Sequence, residues 1–384
     1  MKNILRTTSL ALLALATAPL AARAADWIEL FNGRDLTGWS IAVEGAPVGQ
    51  DPKGHVVVRD GSIHMYADTP TDARGDFGVI VTDKKFSRFH LTFEYAWGPK
   101  KLAPRADKLK DAGLLYHIAN PNERTWGIWP VSVECQIQEG DTADLVFLKT
   151  SGLTWLHPQP GTAPEGQGSP GLLPEFGGRP ERCTQQHYAY VGRYPVYDTL
   201  EGWNRVDAIV QADETAVHLV NGQIRSRIAK ITDHTGAPLT TGHLALQLEG
   251  AEIRYRDIRL RELSEPLRAS APALIFAPSP TSRSVPPQTL TVTNPGPKAV
   301  PFTVELIGRD PARFTVTRPP GSPAELAPGA SAEITIARAP AVNAASSGPA
   351  HAALQIGPLD LGVFVLLSTD AASASAAPAA PAAP

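Results

Sequence analysis

The chain has 384 residues, a formal net charge of −3 and two cysteines, and its 36 prolines and 32 glycines favour many turns and short strands over long helices. That length admits two domains, while the near-balanced charge with no basic block argues against nucleic acid as a partner. After the first two dozen residues no stretch approaches the roughly 20 apolar residues of a membrane-spanning helix, so the mature chain is expected to have no span.

The N-terminus reads as a secretory signal over residues 1–24. Lys2 and Arg6 supply a positive start, Leu10 to Leu20 an apolar core too short to cross a bilayer, and Ala22-Arg23-Ala24 a cleavage site. No cysteine follows that site to carry a lipid, which predicts a periplasmic or secreted protein, with the periplasm preferred. Residues 25–265 then show short runs alternating apolar and polar side chains, bounded by Gly, Pro, Asn and Asp. Strands are predicted near 56–58, 62–66, 77–81, 90–96, 113–118, 131–138, 203–211, 216–220, 243–248 and 253–261, with Asp60-Gly61 and Asn221-Gly222 turning hairpins. This is the pattern of an all-β sandwich. The Pro- and Gly-rich stretch 157–182 reads as a long loop over one face.

Composition shifts toward Ala, Pro, Ser and Thr over 266–369, where about seven more strands fit a smaller, immunoglobulin-like sandwich. Residues 370–384 cannot bury a core and read as a disordered tail. Cys135 and Cys183 could pair in an oxidising compartment if their Cα atoms lie within about 7 Å, and the sequence leaves both states open.

Side chains alternate across a strand, so in Ser132-Val133-Glu134-Cys135-Gln136-Ile137-Gln138 the residues Glu134, Gln136 and Gln138 share one face and three apolar residues the other. The same rule puts His117 opposite Leu114, Tyr116 and Ile118, and Gln247 and Glu249 opposite Leu246 and Leu248. If these strands neighbour one another in one curved sheet, the six polar residues converge on its concave side, where a carboxylate, amides and an imidazole suit sugar hydroxyls. Trp126 and Trp129, set in a turn by Gly127 and Pro130, are candidates to stack on a sugar ring, with Trp97 and Tyr188 in reserve. A conventional glycosidase needs two carboxylates flanking the bond. The central strand offers Glu134 followed by two amides.

Five blocks in order resemble the 3-keto-disaccharide hydrolase domain family: 30–39 (LFNGRDLTGW), 111–117 (DAGLLYH), 132–141 (SVECQIQEGD), 203–206 with 218–222, and 246–250 with 255–259. The resemblance spans 27–263, departs at Ala112 where Ser is commoner, and implies a concanavalin-like jelly roll. It also implies a chemistry. A ketone at C3 acidifies the C2 proton, a base removes it, the enolate expels the group on C1, and water adds to the product. His117 and Glu134 are the candidate bases, and also the candidate ligands if a divalent cation stabilises the enolate; Gln136, Gln138, Gln247 and Glu249 would hold hydroxyls. The partners implied are a carbohydrate substrate and a separate sugar 3-oxidoreductase to make the ketone. The competing readings are a non-catalytic sugar-binding module and a surface scaffold. In the second domain, 290–294 and 326–331 resemble bacterial immunoglobulin-like domains of the abnormal-spindle and hydin type.

Overall fold

The computed structural model describes residues 27–158, 172–174, 179–184, 197–277, 285–308, 310–339 and 349–369. The expected signal segment, the C-terminal tail, Tyr188 and most of the 157–182 loop lie outside the described residues.

Six strands form the sheet that matters most for function: β1 (Trp39–Val43), β2 (Gly78–Thr82), β3 (Asp111–Ile118), β4 (Ser132–Gln138), β5 (Leu145–Leu148) and β6 (His243–Leu248). Their spatial order is β5-β4-β3-β6-β2-β1, all antiparallel. The three strands carrying the polar rows are thus direct neighbours. Val133, Cys135 and Ile137 of β4, Leu114 and Tyr116 of β3, and Leu244, Leu246 and Leu248 of β6 all enter one core. A larger sheet closes that core from the other side with Phe89, Leu91, Phe93 and Tyr95 of Arg88–Lys101, and with Val206, Ala208 and Val210 of Asn204–Gln211. Two stacked antiparallel sheets with this much apolar area between them make a concanavalin-like jelly roll.

A polar chain ties the two sheets together inside the core. Tyr116 of β3 meets Nε2 of His218 at 3.0 Å, and Nδ1 of His218 meets Ser226 Oγ, also at 3.0 Å. Ser226 donates onward to the Ala143 carbonyl at 2.8 Å. Burial pushes the His218 pKa down to about 3, so the ring is neutral and serves packing.

One expectation changes, and the state of Cys135, which the sequence left open, is decided. The stretch read as one loop contains strand backbone at Leu172–Pro174 and Arg179–Thr184, both paired with Thr150–Pro158. Cys135 is a free, buried thiol on the core face of β4.

Beyond Glu262 a second sandwich pairs two four-stranded sheets around Phe276, Leu290, Val292, Phe314, Ile334, Ile336, Leu354 and Leu367. It docks on the outer face of the larger sheet. Ile209, Val217 and Leu219 pack with Leu359 and Phe364, Arg227 lies 4.1 Å over the Phe364 ring, and Arg261 bridges to Asp360 at 2.8 Å.

Candidate active-site cleft

The concave face of the six-stranded sheet holds a cleft of about 550 Å³. Glu134, Gln136, Gln138, Gln247, Glu249, Trp126 and Trp129 line it together with Arg105, Lys108, Leu109, Asp111, Val146 and Leu148. Seven of the eight first-choice candidates from the sequence therefore meet in one place, while the reserve candidate Trp97 enters the core. Register explains why: Glu134 pairs with Leu115, Gln136 with Gly113 and Gln138 with Asp111 across β4 and β3, while Leu115 also faces Ala245 of β6.

His117 is the exception, and its placement corrects the strict alternation assumed for β3. The pairing of β3 with β6 shifts register next to it, and His117 takes a left-handed φ of 58°. Such a bulge inserts one residue and resets the parity of the strand. Leu115 and Ile118 consequently share an apolar cluster on the concave face, while Leu114 and Tyr116 enter the core. His117 is 1% exposed, its Nε2 donates to the Ala212 carbonyl at 2.9 Å, and its ring stands edge-on to Tyr116. Burial lowers its pKa to about 4. The two candidate metal ligands, His117 and Glu134, thus belong to different environments, and no cluster of three His, Cys, Asp or Glu side chains is arranged for a cation among the described residues.

At the centre of the cleft Glu134 is 3% exposed. Burial pushes its pKa well up, the neighbouring Glu249 and Asp111 add to the rise, and a hydrogen bond from Gln247 opposes it. Gly113 makes the room for this pair: a Cβ there would lie 2.3 Å from both Glu134 Oε1 and Gln247 Oε1. Beside them Arg105 grips two further carboxylates, Asp111 through Nη2 and Glu249 through Nη1 at 3.1 Å. Gln138 adds a bond to Asp111 at 3.0 Å. Burial raises the pKa of Asp111 and of Glu249, and Arg105 counters it in both. Two buried carboxylates, Glu134 and Asp111, and the partly buried Glu249 share one guanidinium, an arrangement that retains protons toward neutral pH.

Sequence reasoning missed Arg105, Lys108 and Asp111. Asp111 was legible, because it has the parity of Gly113 and Leu115. Arg105 and Lys108 come from a loop without a period and are brought in by the chain reversal before β3.

Trp126 stands at the rim, 56% exposed, with a left-handed φ of 48° in a tight hairpin between Arg124–Thr125 and Trp129–Pro130. Trp129 is buried and stacked on Phe77 with ring centres 5.8 Å apart.

A jelly roll whose concave face carries carboxylates, amides and aromatics is the architecture of a carbohydrate-active protein. Residues 26–261 match the family model described as 3-keto-alpha-glucoside-1,2-lyase-like domain, and the chain belongs to that family. In fold it is similar to a putative glycosyl hydrolase from Parabacteroides distasonis, with 22% identity over 62% of this chain and 94% of the other at a TM-score of 0.37. It is also similar to a Bacillus licheniformis beta-glucanase, with 10% identity over 63% and 99% of the two chains at a TM-score of 0.32. No curated protein matches the sequence.

Proposed function

We propose that the cleft cleaves the C1 bond of 3-keto-glycosides, 3-keto-disaccharides among them, in an exported protein supplied with ketone by a separate sugar 3-oxidoreductase. The observation that carries this reading is Glu134: a buried carboxylate of raised proton affinity, in the middle of a cleft whose other two carboxylates, Asp111 and Glu249, are both held by Arg105. An unperturbed carboxylate is too weak a base for a carbon acid. Raising its pKa toward working pH strengthens it while leaving a usable ionised fraction.

In this scheme Glu134 takes the C2 proton, and the freed electron pair moves onto the C3 oxygen as an enolate. The positive charges of Arg105 and Lys108 and the Gln136 and Gln138 amides favour that developing charge over the neutral ketone. The enolate then reforms the ketone, expels the C1 substituent and leaves a C1=C2 double bond. Water adds at C1 and C2 regains a proton, completing a net hydrolysis. His117 has no part in this scheme. The second sandwich, which we read as immunoglobulin-like, acts as a support on the far side.

The test compares a 3-keto-glucoside with its unoxidised parent on the purified protein. The wild type should consume only the ketone, and Glu134→Gln should lose about 10²–10⁴-fold in kcat. Equal turnover of the parent, or a fully active Glu134→Gln, overturns the proposal. Binding of both without turnover of either is the result a lectin gives.

A further inference from the structure

The cleft has two unlike ends, and Glu134 divides them. From Glu134 toward the C-terminal end of β4 come Gln136 and then Gln138, the latter beside Asp111 and its partner Arg105. In the other direction the groups change character. Val146 lies directly across from Glu134 on β5, Leu148 lies across from Ser132, and the loop entering β4 brings Trp129 and Trp126 to the same end. One half of the cleft is mostly hydrogen-bonding groups and charge, with Leu109 among them. The other half is aliphatic and aromatic.

We infer that the apolar half holds the leaving group, and that the preferred substrate therefore carries an aromatic aglycone on the 3-keto sugar rather than a second sugar. This rests on the reading that Glu134 works at C2. A sugar placed over Val146, Leu148 and Trp129 would lose water from its hydroxyls with no side chain there to replace it, and that loss is costly. An aryl ring loses nothing of the kind and gains the stacking surface of Trp126. The exposure of Trp126 agrees: a large apolar side chain held out from a hairpin in the left-handed region is strained and poorly covered, as groups kept for a ligand often are.

Leaving-group chemistry points the same way. None of Val146, Leu148, Trp126 and Trp129 can deliver a proton to a departing oxygen. A sugar alkoxide needs that proton. A phenoxide, whose acid has a pKa of about 10 as in tyrosine, departs without it. The bond account closes with no oxidant: the C2–H pair becomes the enolate, the C1–O pair leaves with the phenoxide, water supplies the phenol proton, and its hydroxide adds at C1 as C2 regains its proton from Glu134.

Two measurements test this, one of them independent of turnover. Phenyl glucoside and methyl glucoside, both unoxidised, are titrated calorimetrically into the wild type, Trp126→Ala and Trp126→Phe. The wild type and Trp126→Phe should bind the phenyl compound at least tenfold more tightly than the methyl one, and Trp126→Ala should lose that margin. Equal affinities in the wild type, or a margin untouched in Trp126→Ala, overturn the aromatic subsite. In the second arm, the phenyl and glucosyl derivatives of the same 3-keto-glucose are compared as substrates. The phenyl derivative should show at least tenfold higher kcat/KM; a higher value for the disaccharide overturns the inference while leaving the proposed chemistry standing. If neither ketone is consumed but the phenyl margin in binding persists, the chemistry fails and the aromatic subsite stands.

Discussion

Glu134 is a residue whose cost to the fold and value to the site have the same origin. Its usual pKa of 4.5 is pushed well up by burial and by two carboxylate neighbours. Above pH 4.5 the folded chain therefore keeps a proton that the unfolded chain has released, so stability falls as pH rises toward the folded pKa. Glu134→Gln removes that penalty. It should be more stable than the wild type, with a margin that widens as pH rises from 4.5 toward the raised folded pKa in urea denaturation; a margin that shrinks over that rise would contradict the buried-acid assignment. His117 carries the opposite sign. Its folded pKa of about 4 lies below the ordinary 6.5, so its contribution is complete above pH 6.5 and is lost as pH falls toward 4. His117→Asn accepts the left-handed backbone and removes the Ala212 bond, at about 1–3 kcal/mol near pH 7. That cost should shrink on acidification, and turnover of a 3-keto-glucoside should stay within a few-fold of wild type. Loss of turnover matching that of Glu134→Gln would restore His117 to the chemistry.

At the scale of elements, alternation is reliable where a strand pairs regularly on both sides and fails where one residue is inserted. In β4 the core-facing and cleft-facing sets fall as Val133, Cys135, Ile137 against Glu134, Gln136, Gln138. In β3 the bulge at His117 reverses the last positions, and nothing in the local sequence marks it, because the cause is the register of β6 next door. Strands were missed for related reasons. Leu145–Leu148 is buried throughout and shows no period, and Gln223–Asp233 and Thr150–Pro158 are irregular strands with register shifts of their own. The element-level bond between sheets gives a test. Tyr116→Phe leaves His218 Nε2 buried without its hydroxyl partner, which should cost about 1–3 kcal/mol in denaturant midpoint without altering the cleft. An unchanged midpoint would mean that this contact contributes nothing to holding the sheets together.

For the whole molecule, the two sandwiches meet on the face opposite the cleft. Phe364 fills the junction, packed beneath the Arg227 guanidinium and beside the apolar patch of Ile209, Val217 and Leu219. Phe364→Ala should lower stability by about 1–3 kcal/mol, less than a fully buried phenylalanine, and leave kcat/KM for a 3-keto-glucoside unchanged. A change in kcat/KM without a change in melting temperature would show that the second sandwich acts on the site rather than supporting it.

What the sequence determined by itself is what local chemistry encodes: two sandwiches, most of their strands, the polar face of β4, and hairpins at Asp60-Gly61 and Asn221-Gly222, where positive φ values bear out the turn residues. Glu134 and its amide neighbours were legible because a period of two is written in consecutive letters. Tertiary structure decided the rest. It set β3 between β4 and β6, turned His117 inward at a bulge, and drew Arg105 and Asp111 to Glu249 and Glu134 from distant stretches of chain. These depend on pairing register and on the field of buried charges, which are properties of neighbours in space and have no period along the chain.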